Sequence, residues 1–287
     1  MANLDPVLVT GATGNQGSAV ARALLTQGQP VRALTRDPHK PAAARLAELG
    51  AELVTGDFDD PAALRRAAAG TSAVFVMSTP MQSPDAEARQ GIAAVDAADQ
   101  AGTGHIVYTS VASALDGTGI PHFDSKAAVE RHLATLATPS TVIAPVAFLE
   151  NIVSPWSAPA LAEGRYAFPL PGDVPLQQVA VADIAAFAAL VLGDPKAFAG
   201  QRVELASVEV AGEQLAAALS RWLGREVTYV ELPADSGDDD TDAMMRFFRE
   251  RGYRVDIPAL HAAYPQIGWH DLDSWAAKRD WQQLIPA

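Results

Sequence analysis

The chain has 287 residues, 49% of them hydrophobic, with a net charge of −13 and no cysteine. That length buries a sizeable core, as one large domain or two close-packed ones. The acidic balance, with no basic cluster, argues against nucleic-acid binding and against docking on anionic lipid, and the lack of cysteine excludes disulfides, thiolate catalysis and zinc–cysteine sites.

Leu4, Asp5 and Pro6 lead straight into a strand rather than a secretory signal. No apolar stretch reaches membrane-spanning length free of charge or proline. A cytoplasmic location is therefore expected. VLVT (7–10) is a short apolar run suited to a strand buried on both faces. Helical spacing follows over 15–27, then a strand VRALT (31–35), a helix over 40–49 and a strand AELVT (51–55). Pro61 opens a helix through Ala69, AVFVM (73–77) is the fourth strand, and residues 84–101 form a long Ala-rich helix. HIVYTS (105–110), a helix over 124–137 and STVIAP (140–145) complete the series. Strands alternating with helices at this spacing predict right-handed crossovers and a parallel, doubly wound α/β sheet of Rossmann type. Ligands of such sheets bind beyond the carboxyl ends of the strands.

The loop after the first strand reads TGATGNQGSAV, with Gly11, Gly14 and Gly17 spaced as G-x-x-G-x-x-G. The first glycine permits a tight turn, the second a close approach of pyrophosphate, and the third close packing of helix on strand. The helix N-terminus then offers its unpaired N–H groups to phosphate. A glycine-rich turn with no ligand is the alternative. After the second strand comes TRDPHK, where Arg36 and Lys40 suit the 2′-phosphate of NADP(H). Asp37 argues for a ribose hydroxyl instead, and Arg36 and Lys40 also fit as ordinary surface charges. In GDFDDP, Asp57 is a candidate acceptor for the adenine amino group and Phe58 for the ring, while Asp59 or Asp60 caps the next helix. Ser78 and Thr79, in STPMQ, are candidate phosphate donors or turn formers. Ser110, ending the fifth strand, either polarises an oxygen at the nicotinamide or satisfies a backbone group.

After Asn151 the composition shifts to Pro, Gly and aromatics, which divides the chain into 1–150 and a smaller α/β domain over 151–287, parts of which return to the first sheet. Trp156, Tyr166 and Phe168 wall a flat substrate pocket or pack a domain junction. VAVADIAAFAALVL reads as a strand end entering an amphipathic helix, with Asp183 near its start. DSGDDDTD (235–242) reads as a solvated acidic loop, its spacing fitting no EF-hand.

GATGNQGSAVARALL, TRDP, GDFDDP, HFDSKAAVERHL and AFLENIV, with VAVADIAAFAALVL and the run from VELASVEV to VTYVEL, together resemble the NmrA-like branch of the atypical short-chain dehydrogenase/reductases. HFDSK is closest to the NADPH-sensing subgroup. The resemblance covers nearly the whole chain. It implies an N-terminal Rossmann domain, a smaller C-terminal substrate domain, a cleft between them and NADP(H) as cofactor. It also implies that Gly11, Thr13, Gly14, Asn15, Gln16 and Gly17 form the phosphate loop. By the same resemblance Arg36 and Lys40 face the adenosine phosphate, Lys126 approaches the nicotinamide ribose, and Phe148 and Asn151 line the nicotinamide end. Some members reduce quinones or related aromatic compounds. Others resemble nucleotide-binding regulators that act through protein partners.

Many related reductases carry a tyrosine four residues before this lysine. Here that residue is His122. If the helix begins before Ser125, His122 and Lys126 share one face. Imidazole titrates near neutral pH, so His122 is a candidate proton donor, or a structural residue at the start of a helix. The leading expectation is an NADPH-dependent reductase of a quinone or small aromatic carbonyl compound, with Lys126, His122 and Ser110 at the catalytic end. The alternative is a non-catalytic NADPH/NADP sensor. A homodimer or a regulatory protein partner is compatible with either.

Overall fold

The computed structural model describes residues 5–78 and 83–285. The chain forms two compact units, Met1–Ala144 with Ile184–Glu204, and Pro145–Asp183 with Leu205–Ala287.

The first unit is built on β1 (Val7–Val9), β2 (Val31–Thr35), β3 (Glu52–Thr55), β4 (Ala73–Met77), β5 (Ile106–Thr109) and β6 (Ser140–Pro145). Between them run α1 (Asn15–Thr26), α2 (Pro41–Glu48), α3 (Pro61–Ala68), α4 (Pro84–Gln100) and α5 (Pro121–Leu133). β1 pairs parallel with β2 and β4, and the β2–β3, β4–β5 and β5–β6 pairs are parallel as well. Across the sheet the order is β3-β2-β1-β4-β5-β6, followed by a strand at Arg202–Leu205. The chain works outward from β1 to β3, then returns to the other side of β1 for β4. That reversal is the topological switch point where doubly wound folds bind ligand.

Local sequence explains these elements. β1 reads Val-Leu-Val and is buried throughout, because helices cover both faces of a parallel sheet. Four of the five helices begin with proline at the first turn, where a missing N–H costs nothing. Asp60 and Ser83 cap α3 and α4 by accepting from the N–H groups of Ala63 and Ala86. Leu8, Val74, Val76, Ile106 and Tyr108 pack against Leu64, Val95 and Val129 in one core. Gly91 lets α4 and α5 approach closely, since a Cβ there would lie 2.6 Å from Val129 Cγ2.

α5 starts and ends earlier than the sequence spacing predicts. Pro121, with its preset φ, opens it after the extended Ile120. The helix stops at Leu133, where Thr135 turns back to bond the carbonyl of His132 through both its N–H and its hydroxyl. The helix Val181–Gly193 is also not the amphipathic helix expected: Ile184, Phe187, Ala188, Ala189 and Val191 are all at or below 1% exposed, so it is apolar nearly all round.

In the second unit, Pro175–Val179 pairs antiparallel with Val208–Ala211 and parallel with Ala147–Phe148, while Arg165–Phe168 pairs parallel with Thr228–Glu231. Trp275 is 1% exposed, and Arg279 lies 3.5 Å above its ring. Glu150 accepts from Trp275 Nε1 at 3.0 Å and from Arg279 at 2.6 Å, so the C-terminal segment is held by charge as well as by packing. The acidic run is only half a loop. Asp238 caps the helix Asp239–Glu250, and Asp239, Asp240 and Asp242 occupy its first turn, where carboxylates are favoured. No helix among the described residues is long and apolar enough to cross a membrane.

Candidate functional site

The ends of β1, β4 and β5 lie side by side at the switch point, and most of the expected site residues follow them. Gly11 turns the chain out of β1 with φ +58. A side chain there would meet Met77 Sδ at 2.3 Å, so the loop after β1 lies against the end of β4. Gly14 N–H bonds the Gly11 carbonyl at 2.9 Å, closing the turn. Gly17 has its α-carbon against the turn that follows β1, and an added Cβ would lie 2.3 Å from Gly11 O and 2.9 Å from Thr10 O. Unlike α3 and α4, which Asp60 and Ser83 cap, α1 has no side-chain cap, and it has no acidic residue in its first turn. An uncapped helix N-terminus behind a glycine turn is a cradle for an anion, supplied by backbone N–H groups and the helix dipole. Thr13 is half-buried and Asn15 is exposed at the mouth of this turn. Gln16 faces inward, with Nε2 donating to Thr109 Oγ1 at 2.9 Å, which ties the loop to the end of β5.

Arg36 and Lys40 are both exposed at the end of β2. Asp37 uses its carboxylate within its own loop, where Oδ1 accepts the His39 N–H at 2.9 Å. Asp57 does the same for the N–H of Asp59 at 2.9 Å, and Phe58 packs partly buried against the core. Thr79 lies outside the described residues.

Ser78 is 4% exposed, and its hydroxyl meets the Tyr108 hydroxyl at 3.2 Å and Glu87 Oε1 at 3.4 Å. These groups belong to a buried polar cluster around Lys126. Lys126 Nζ pairs with Glu87 Oε1 at 2.9 Å and donates to Ser78 O at 3.4 Å. Its ammonium lies 5.9 Å from the centre of the Tyr108 ring. Ser125 Oγ lies 2.5 Å from Glu87 Oε2 and 2.9 Å from the His122 carbonyl, which share its one hydrogen. Burial disfavours the Lys126 ammonium, but the charge and hydrogen bond of Glu87 help to outweigh it, and its pKa sits above the usual lysine value. Burial pushes the Tyr108 phenol up, so it stays neutral. Because α5 begins at Pro121, His122 and Lys126 are one turn apart on one face. The His122 ring is half-buried and meets Phe123 edge-on at 4.7 Å.

Ser110 is held elsewhere. Its hydroxyl donates to Glu130, and Glu130 Oε2 accepts Arg202 Nε at 2.8 Å. Arg202 also bonds Glu204 at 2.7 Å and the Val111 carbonyl at 3.1 Å. Glu204 accepts the N–H of Ser113, a non-glycine residue at φ 62. The network pins the loop after β5 and holds one residue in a left-handed conformation.

Phe148 and Asn151 belong to the second unit. Phe148 is partly buried in a two-residue strand, and Asn151 is exposed, its carbonyl accepting from Ser154 Oγ at 2.7 Å. Tyr166 and Phe168 stack 6.4 Å apart and, with Tyr229, line a cavity of about 10 Å³. That is room for about one water. Trp156 is not packed with them and is 71% exposed.

Sequence reasoning missed Glu87, Glu130 and Arg202. A carboxylate in the first turn of a helix reads as a surface group favoured by the dipole, and nothing local marks it as buried.

Strand order, switch point and glycine turn define a Rossmann-type, nucleotide-binding α/β fold. The model of the NmrA-like family matches residues 4–250, and the chain belongs to that family. It is 34% identical over 236 residues to a (4-alkanoyl-5-oxo-2,5-dihydrofuran-3-yl)methyl phosphate reductase of Streptomyces griseus, covering 80% of this chain and 78% of that one. Its structure is similar to an NADPH-dependent quinone oxidoreductase of Escherichia coli complexed with NADPH (TM-score 0.79, 28% identity, 94% of this chain and 98% of that one). It also shares its fold with NmrA, a negative transcriptional regulator, in complex with NADP (TM-score 0.78, 21% identity, 96% and 95% covered).

Proposed function

We propose that this chain is an NADP(H)-dependent oxidoreductase acting on a small quinone or aromatic carbonyl compound. The observation that carries the reading is Lys126, a charged amine held at the end of β4 in the same unit as the uncapped glycine turn. When bound, NADPH supplies the hydride for an electrophilic carbon. The chain's own residues then bind, orient and protonate. The turn from Gly11 to Gly17 takes the pyrophosphate on backbone N–H groups, since no side chain competes for them at α1. Arg36, with Lys40 nearby, grips the 2′-phosphate. Asp37 does not oppose this, because its carboxylate is used by His39 N–H. Asp57 and Phe58 edge the adenine.

Lys126 gives an N–H to the ribose. His122, on the same helix face, or water returns the proton to the reduced oxygen. A quinone accepts hydride readily and needs little help from an acid, which suits a site without tyrosine at this position. Ser110 enters this reading as an anchor of the loop after β5, because its hydroxyl is committed to Glu130.

The relatives named as reductases support turnover. A second reading, a sensor of NADPH and NADP that acts through protein partners, draws on the histidine at position 122 and on the fold shared with a regulator. NADPH oxidation followed at 340 nm against quinones and aromatic carbonyls separates the two. Turnover that is lost in a folded Lys126→Ala protein supports the reductase. NADPH binding with no turnover on the panel favours the sensor.

A further inference from the structure

Glu87 is fully enclosed, yet it stands in the first turn of α4, where a carboxylate gains its dipole benefit at the surface, as the exposed Asp85 does. Removing a carboxylate from water costs more than that benefit returns, and a buried ion pair is weak as a stabilising device. Stability therefore does not account for Glu87. Its contacts point to a role for its charge. Oε1 takes Lys126 Nζ at 2.9 Å, Oε2 takes Ser125 Oγ at 2.5 Å, and Ser78 Oγ approaches Oε1 at 3.4 Å. Gly91, one turn along α4, permits the close approach of α5 that brings these groups together.

An ammonium has three N–H donors. Glu87 and the Ser78 carbonyl take two of those on Lys126, which fixes the direction of the third. The titratable groups facing Lys126 are Glu87 from α4, the uncharged Tyr108 phenol from β5 and, one turn on in α5, Glu130, itself paired with Arg202. Lys126 thus offers a directed donor with its charge cancelled by Glu87.

We propose that Glu87 neutralises Lys126 so that this site accepts the oxidised, cationic form of the cofactor alongside the reduced form. The proposal rests on the dinucleotide reading above. The two redox forms differ in charge only at the nicotinamide ring, which is positive when oxidised and neutral when reduced. Beside an ammonium stripped of its counter-ion, the positive ring is repelled and the neutral ring is not. Glu87 is a positioning residue in this scheme, acting through Lys126. Its signature is the ratio of two dissociation constants rather than the size of either.

The test is calorimetric measurement of Kd for NADP+ and for NADPH at about pH 6, where an amine without its counter-ion is kept protonated. Glu87→Gln is expected to raise Kd(NADP+)/Kd(NADPH) by roughly tenfold over wild type. Glu87→Asp, which keeps the charge, is expected to preserve the wild-type ratio. Glu87→Gln leaves a buried cation unpaired and can fail to fold. The double variant Glu87→Gln/Lys126→Met removes both charges and should then show the wild-type ratio. An unchanged ratio in folded Glu87→Gln, with both forms still bound, overturns the proposal and leaves the dinucleotide reading intact. So does a shifted ratio in the neutral double variant. Wild-type protein that binds neither form overturns the dinucleotide reading and the proposal with it.

Discussion

Lys126 and Glu87 form an ion pair at 2.9 Å, with the lysine side chain 12% exposed and the carboxylate not exposed at all. Removing one partner leaves the other charge uncompensated in the interior, which costs about 3–5 kcal/mol. Lys126→Met should therefore lower the urea midpoint substantially, and Glu87→Gln/Lys126→Met should recover most of the loss. The pair contributes little net stability once desolvation is counted, so the double variant is expected within about 1–2 kcal/mol of wild type. Urea titrations of the four proteins of this cycle provide the check. A double variant as unstable as the worse single one would mean that the cluster is held by its hydrogen bonds rather than its charges.

The glycines of the first loop separate folding from binding. Gly17→Ala places a methyl 2.3 Å from Gly11 O, and neither backbone can move aside. Overpacking of this kind costs about 1–3 kcal/mol, so both the thermal midpoint and NADPH binding should fall. Gly14 has an ordinary φ of −89, and an added Cβ there lies 3.4 Å from Gly11 O. Gly14→Ala should keep the wild-type thermal midpoint and still lose NADPH binding, because the methyl occupies the surface offered to pyrophosphate. Differential scanning fluorimetry with and without NADPH reads both effects in one experiment.

Arg36 is exposed at the end of β2, and among the described residues no ion pair engages it. Under the NADP(H) reading its partner is the 2′-phosphate. A charge-assisted bond of this type is worth about 1.5–3 kcal/mol. Arg36→Ala should weaken NADPH by about ten- to a hundredfold while leaving NADH nearly unchanged, and Lys40→Ala should have a smaller effect of the same sign. Fluorescence titrations with the two dinucleotides measure this directly. Equal losses for both would remove Arg36 from the 2′-phosphate site.

Much of this architecture is legible locally. The six strands and the five helices between them can be read because each carries its own local pattern, and the turn Gly11–Gly14–Gly17 because glycine is required where backbone touches backbone. The buried polar groups are not legible in this way. Glu130 and Arg202 are 72 residues apart, and Asp183 and His270, which meet at 2.5 Å, are 87 apart. Their pairing is set by which elements become neighbours in the fold, and no local pattern announces it. Tyr108 sits in the core by its place in β5, but its hydroxyl joins the Lys126 cluster, a detail that depends on the end of β4. The start of α5 falls between these cases. Pro121 is visible as a helix opener, while the expected start at 124 follows the apolar spacing instead.

His105 gives a pH-dependent stability with a definite sign. It is 2% exposed, and Nε2 lies 2.9 Å from Thr141 Oγ1. The Thr141 hydroxyl donates its one hydrogen to the Phe198 carbonyl at 2.8 Å, so it accepts from His105, which fixes Nε2–H as the donor. Burial lowers the pKa of His105 from the usual histidine value. The unfolded chain therefore binds a proton at higher pH than the folded protein does. The contribution is fully present above an unfolded pKa of ~6.5 and is lost as pH falls through the lower folded pKa, with a slope of at most about 1.4 kcal/mol per pH unit. Asp99 and Asp271, whose hydrogen bonds with Thr138 and Ser274 lower their pKa values, lose their contributions only below the ordinary carboxylate range. Between about pH 5 and 6.5, His105→Gln should flatten the fall in stability relative to wild type, since glutamine can keep a donor to Thr141 without titrating. Urea midpoints measured at intervals across that window decide it. Parallel curves for the two proteins would mean that His105 binds its proton alike in the folded and unfolded states and that the acid sensitivity arises at other groups.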